Sequence, residues 1–158
     1  TFTTTGNIIL YMDRNGTFWK KHLATDEQEQ LSFSNFSVKS EAQYSIFGDE
    51  NNLFLKENSK LYKLRKDSNT EQLFDNVTNT SFSPDGRILA VGNSTELWLY
   101  LLQKQTAPVE RNAGERIFLN RFSDPIENLA WINGAYLIFN TKETLKIAEI
   151  DKRFFCFK

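Results

Sequence analysis

Ser81-Phe82-Ser83-Pro84-Asp85-Gly86-Arg87-Ile88-Leu89-Ala90-Val91 passes from a short polar and aromatic segment, through a four-residue turn, into an apolar run. Proline presets the backbone of such a turn, aspartate stabilises it through its own side chain, and glycine closes it where a positive φ is needed. A hairpin follows, with strands near Thr80 to Ser83 and Arg87 to Gly92. After a second turn, Leu97-Trp98-Leu99-Tyr100 supplies a third strand.

The same layout recurs on both sides of this stretch. Asn7-Ile8-Ile9-Leu10-Tyr11-Met12 is followed, after a turn, by Thr17-Phe18-Trp19-Lys20, and Asn52-Leu53-Phe54-Leu55-Lys56 by Leu61-Tyr62-Lys63-Leu64. Near the other end, Tyr136-Leu137-Ile138-Phe139-Asn140 precedes Leu145-Lys146-Ile147-Ala148. Subtracting the positions of Phe18, Leu61, Leu97 and Leu145 gives intervals of 43, 36 and 48, which bracket the ~40–45-residue period of a propeller blade. Leading strands are expected in at least the last three repeats, at Ala42 to Phe47, Thr80 to Ser83 and Asn128 to Ile132. Closing strands are expected near Glu29 to Phe33, Glu71 to Asp75, Arg116 to Arg121 and Phe154 to Phe157. The fold class this predicts is all-β, a β-propeller or part of one, with about four four-stranded antiparallel blades.

Asn15-Gly16 and Asn133-Gly134 are expected to form tight hairpin turns with positive φ at both central residues. The second strands are nearly continuous apolar runs, as in strands covered on both faces, while the third strands carry more charge and belong nearer the rim. Apolar residues at helical spacing are not sustained over a dozen positions. The sequence has 8 Ala against 15 Asn, with 14 Phe, 5 Tyr and 3 Trp, which favours strand and turn over helix.

The stretch from Ser81 to Val91 resembles the S-F-S-P-D-G signature of TolB-type and WD-repeat-like β-propellers. Asn128 to Leu137 is similar to a degenerate copy, with Trp131-Ile132-Asn133-Gly134 in the place of the turn, and Phe47 to Asn51 echoes it loosely. The His-Asp-Trp pattern of true WD repeats does not occur, since His22 is the chain's one histidine. The resemblance implies the fold, a protein or peptide partner, and an extracytoplasmic or cell-envelope setting. It also implies a ring of more than four blades. With a chain that opens at Thr1-Phe2-Thr3 and stops in the apolar run Phe154 to Phe157, the expectation is a single propeller segment of a longer chain. Its blades fall at 1–36, 41–77, 79–122 and 126–158, and open blade faces would favour self-association.

Nineteen Lys and Arg against 20 Asp and Glu leave a net charge of −1, too little field for a polyanion, so nucleic acid is not expected as a partner. The longest apolar run, Leu97 to Leu102, is far short of the ~20 residues that cross a bilayer, so membrane insertion within the segment is not expected. One cysteine, Cys156, closes no internal disulfide, and its aromatic strand suggests a buried thiol.

Candidates for chemistry are sparse. His22 would have to serve any Ser-His or Cys-His mechanism, but no Gly-x-Ser-x-Gly elbow accompanies it, and a surface histidine on a strand edge is the expectation. Asp13-Arg14-Asn15-Gly16-Thr17-Phe18-Trp19 lacks the ligand spacing of a calcium loop and is one residue too long for the Asp-box of sialidase-like propellers, so it reads as a hairpin turn. The acids Asp49, Glu50, Asp75, Asp85, Glu110, Asp124, Glu127 and Glu143 fall mostly in turns, which suits backbone capping better than glycosidic acid catalysis. Trp19, Trp98 and Trp131 are expected to fill space between blades. Asn15, Asn35, Asn76, Asn79 and Asn93 head glycosylation triplets that matter only where the machinery exists. No phosphate-binding glycine loop occurs. The function expected is a non-enzymatic interaction scaffold without catalytic, metal or cofactor residues. The alternative is the propeller domain of a larger enzyme, either the gating domain of a serine peptidase or a glycosidase.

Overall fold

The structure, a computed structural model, describes residues 1–32, 35–65, 69–106 and 110–150, and the backbone of Phe154–Phe157. Sixteen strands form four antiparallel sheets of four, each built from consecutive strands in sequence order, and no helix occurs among the described residues. The chain divides into two compact units, Thr1–Asp75 and Asn76–Lys158.

In the first unit, one sheet comprises β1 (Phe2–Thr5), β2 (Ile8–Met12), β3 (Phe18–His22) and β4 (Gln28–Gln30). The other comprises β5 (Tyr44–Gly48), β6 (Leu53–Glu57), β7 (Lys60–Leu64) and β8 (Thr70–Phe74). Side chains alternate across a strand, so Leu10 and Met12 of β2 face one way with Phe18, their neighbour in β3. They pack against Ile46, Leu53 and Leu55 of the second sheet. The opposite face of the first sheet carries Phe2, Tyr11 and Trp19 in one cross-strand row and Thr4, Ile9 and Lys21 in the next. Phe2 is 68% exposed there, and a depression of about 370 Å³ opens between Phe2, Ile9, Tyr11, Lys21 and Gln28.

In the second unit, β9 (Val77–Phe82), β10 (Ile88–Asn93), β11 (Glu96–Leu101) and β12 (Arg116–Arg121) form one sheet. The other is β13 (Ile126–Trp131), β14 (Tyr136–Thr141), β15 (Thr144–Glu149) and β16 (Phe154–Phe157). Ala90, Leu97 and Leu99 of the first meet Ile126, Leu137 and Phe139 of the second in one apolar cluster. Gly92 allows this approach: a Cβ there would lie 3.4 Å from Ile126 Cγ2 and 3.5 Å from Asn79 Cβ. The far face of the last sheet presents Ile138 and Ile147 in one row and Asn140 and Leu145 in another.

The alternation explains where the apolar runs behave as expected and where they do not. Strands β6 and β10 are buried at nearly every position, whereas β2 and β14 alternate between buried and half-buried. The first repeat also has a leading strand, β1, whose Phe-Thr-Thr-Thr sequence lacks an apolar run but pairs residue for residue with β2. Strands β9 and β13 begin at the buried Val77 and Ile126, three and two residues before the expected starts at Thr80 and Asn128, and register shifts opposite Gly92/Asn93 and at Glu127/Ala130 accommodate the extra residues.

Leu10 and Leu137 are fully buried in the clusters of their respective units. Leu10→Ala and Leu137→Ala should each cost about 2–5 kcal/mol in urea denaturation, seen as a lowered midpoint. Leu145→Ala, on a face where Leu145 is 47% exposed, should change the midpoint little.

Candidate functional site

Among the first three strands of each sheet, one of the two connections is a loop of four or five residues, and each such loop is held by an Asp or Asn side chain. Asp13 Oδ1 accepts the N–H groups of Asn15 at 2.8 Å and Thr17 at 3.0 Å, and Asp49 Oδ1 those of Asn51 and Asn52 at 2.8 and 2.9 Å. Asn133 Oδ1 does the same for Ala135 and Tyr136. In the signature turn, Asp85 accepts from Arg87 N and from the Ser83 hydroxyl, while the buried Ser83 Oγ in turn accepts from Ile88 N at 3.0 Å. The serine hydroxyl, helped by the Arg87 N–H, holds Asp85 below the usual carboxylate range. Asp13 is pushed up by partial burial, but the Thr17 N–H, the Trp19 indole and the Asn15 N–H outweigh this and keep it low.

The expectation of two positive φ values at Asn15-Gly16 and Asn133-Gly134 is corrected by these loops. Only Gly16 (φ 80°) adopts one, because four- and five-residue hairpins closed by a side-chain oxygen do not need the tight turn's twist. Gly16 is required for a second reason: a Cβ would meet Phe36 O at 1.9 Å, where the Phe36 N–H docks on Gly16 O. The two-residue turns lie elsewhere, at Gly6-Asn7, Asn58-Ser59, Ser94-Thr95 and Lys142-Glu143, each with its first residue at positive φ.

Other sequence candidates are dispersed. His22 ends β3, half-buried and opposite Ile8, so it is an interior-strand residue and not an edge one. Glu50 pairs with Lys20 at 2.5 Å, Asp75 accepts from Gln72, Glu110 meets Lys104, Asp124 meets Lys142, and Glu127 accepts from Asn140. Among the described residues, no group of three His, Cys, Asp or Glu side chains is placed to hold a metal ion. The expectation for the Cys156 thiol lies outside the described residues.

The tryptophans divide. Trp131 packs on the apolar cluster of its unit and donates to Ser81 O at 2.9 Å, joining two sheets. Trp19 and Trp98 instead tie neighbouring residues of their own sheets, donating to Asp13 and Glu96. Their alternation explains this: Phe18 and Leu97, one position earlier, take the places in the packed seam. Trp98 also meets Phe118 edge-on at 5.0 Å, and Arg121 closes on Glu96 beside them. Of the glycosylation triplets, Asn15, Asn35 and Asn76 are exposed, while Asn79 is half-buried and donates to Ile126 O.

The most developed polar site was not read from the sequence. Glu57, at the end of β6, is 2% exposed. Its Oε1 accepts from the Tyr44 hydroxyl at 3.1 Å and lies 2.8 Å from Lys39 Nζ, and its Oε2 accepts from the Tyr62 hydroxyl at 3.2 Å. Phe36 stands edge-on to both tyrosine rings, with centroids 6.2 Å from Tyr44 and 5.0 Å from Tyr62. Burial pushes the Glu57 carboxyl up, but the Lys39 ammonium and the tyrosine hydroxyls more than offset it and hold it below the usual range. Tyr62 is raised, first by burial and then by the adjacent carboxylate. A signal existed: Leu53, Leu55 and Glu57 share one face of β6, and an acid completing a buried apolar row needs partners.

No protein-family model matches the chain, and no curated protein matches it in sequence. Solved structures do. The computationally designed Ika8 protein superposes with a TM-score of 0.63 at 14% identity, over 98% of this chain and 48% of its own. The WD40 domain of SCAP from fission yeast gives 0.61 at 12% identity, covering 97% and 42%. The N-terminal domain of Nup159 gives 0.58 at 17% identity, covering 99% and 46%. The chain thus spans about half the length of these structures, and its fold is that of a β-propeller with four-stranded blades.

Two variants test these roles. Ser83→Ala removes the oxygen that satisfies the Ile88 N–H and should cost about 1–2 kcal/mol in chemical denaturation. Glu57→Gln should cost roughly 1–3 kcal/mol at pH 7. A carboxyl titrating lower in the folded than in the unfolded state stabilises fully above its unfolded value of about 4.3 and loses that contribution as pH falls through the folded value. The gap between wild type and Glu57→Gln should therefore narrow from pH 6 to pH 3, as read by denaturation midpoints.

Proposed function

We propose that the chain is a non-enzymatic β-propeller scaffold whose hairpins and inter-sheet segments present a surface to a protein or peptide partner, in a cell-envelope setting. The likeness to propeller domains carries this reading. Among those neighbours is an assembly from S. cerevisiae in which Dbp5 is bound to Nup159, so one protein of this fold does engage another. The use of acids supports it as well: Asp13, Asp49 and Asp85 spend their oxygens on backbone N–H groups, where they build loops and are not free for proton transfer. The alternative, a propeller domain of a larger peptidase or glycosidase, places the catalytic groups elsewhere or at a convergence of acids.

The residues from 1 to 158 then form one segment of a longer propeller, with blades at 1–36, 41–77, 79–122 and 126–158. Its two apolar faces, Phe2 with Ile9 and Tyr11 on the first blade and Ile138 with Leu145 and Ile147 on the last, drive self-association when left uncovered.

Selection from a displayed random-peptide library tests the scaffold reading. The expected outcome is enrichment of peptides with a shared side-chain pattern that compete with one another for a saturable site. Absence of enrichment, together with turnover of chromogenic glycosides or peptide amides by the purified chain, would refute it. In sedimentation velocity, Tyr11→Glu should shift the population towards monomer relative to wild type.

A further inference from the structure

We infer that the Glu57 carboxylate, held by the Tyr44 and Tyr62 hydroxyls, is a binding site for a primary alkylammonium group, occupied in this structure by the chain's own Lys39. The source from which it would be filled in a complex is a lysine side chain of a partner peptide. That last step rests on the scaffold reading, whereas the ammonium site itself does not.

The asymmetry of the ion pair is the starting point. Glu57 is 2% exposed, but the side chain of Lys39 is 63% exposed, so a sealed carboxylate is reached by a cation whose stem lies in solvent. The exposed stem marks an entry route that another alkyl chain can follow. The acceptor is also held by groups other than the lysine ammonium. Tyr44 donates to Oε1 from the partner strand β5 and Tyr62 donates to Oε2 from β7, and both hydroxyls belong to residues fixed in strands.

The lysine, by contrast, lies between β4 and β5 and is itself in no strand. Its local ties are backbone ones: Lys39 N donates to the Tyr44 hydroxyl at 2.8 Å, and Ala42 N donates to Lys39 O at 3.3 Å. Those contacts fix the position of the backbone and do not depend on where the ammonium goes.

Removing one member of such a pair leaves a buried charge uncompensated, which costs far more than the pair contributes when intact. An emptied Glu57 site therefore draws in a replacement cation. Phe36 stands edge-on against both tyrosine rings and so helps keep their hydroxyls on the carboxylate. The open direction at Oε1 is the one used by a single N–H donor. With each oxygen already taking a hydroxyl, that favours an ammonium over the two-pronged guanidinium fork. Lys39 is then a tethered occupant, present at high effective concentration, which a partner lysine displaces when the rest of its peptide adds contacts.

Chemical rescue tests the site. In Lys39→Met the apolar stem is kept and the charge removed, and the thermal midpoint should fall by several degrees. n-Butylammonium chloride should restore it saturably, with half-effect in the millimolar range. Tetramethylammonium chloride at equal ionic strength, which has no N–H to donate, should restore little. The double variant Lys39→Met/Glu57→Gln should not respond to either salt. If Lys39→Met does not fold, refolding in the two salts provides the same comparison, with native near-ultraviolet circular dichroism returning only in n-butylammonium. Equal response to both salts, or equal response of the double variant, overturns the site. A lysine-containing peptide that binds wild type, and binds Lys39→Met at least tenfold tighter, supports the partner as source. Rescue by n-butylammonium with no gain for any selected peptide overturns that step alone and leaves the scaffold reading to the library selection.

Discussion

The packing of one sheet's inward row of side chains against the next is the constraint on which everything else depends. Leu10, Met12 and Phe18 have no way to leave water except against Ile46, Leu53 and Leu55, and the same holds for Leu137 and Phe139 against Ala90, Leu97 and Leu99. A single four-stranded repeat cannot cover its own apolar face, and stacking on a neighbour supplies the cover. The strand period of two fixes which residues take part. It also fixes which are left over: Phe2, Tyr11 and Trp19 on one outward face, Ile138 and Ile147 on another.

Polar chemistry follows the same geometry. An acid in a loop is within reach of the N–H groups just beyond it, and Asp13, Asp49 and Asp85 are consumed by closing hairpins. Glu57 differs because it completes the inward row of β6, where no backbone N–H is free, so its partners had to come from other strands and from the segment before β5. The same residue type thus becomes a turn brace or a buried anion according to its place in the alternation.

This separates what the sequence discloses from what it conceals. The apolar runs at Ile8 to Met12, Leu53 to Lys56, Ile88 to Gly92 and Leu137 to Asn140 reveal the second strands, and with them the four-sheet plan, because burial selects composition. Strand β1 is concealed, since three threonines against a pairing strand need no apolar run. The φ values expected at Asn15-Gly16 and Asn133-Gly134 failed for a local reason: an Asn-Gly pair looks the same in a two-residue turn and in a longer one closed by a side chain. The Glu57 site was hidden more deeply. Its members, Phe36, Lys39, Tyr44, Glu57 and Tyr62, are scattered over 27 positions and converge only once β5, β6 and β7 are paired.

The hairpins of the first sheet are arranged in the opposite sense to those of the other three. Gly6-Asn7 makes the short connection from β1 to β2 and residues 13–17 the longer one from β2 to β3, whereas in each remaining sheet the first of these two connections is the longer. Strand pairing and sheet packing are the same in both arrangements, so neither depends on which rim carries the elaborate loop. A designer grafting an epitope or recognition loop onto this architecture can therefore choose either rim of a module, and a homology search phased on turn motifs would misplace the opening module by one strand.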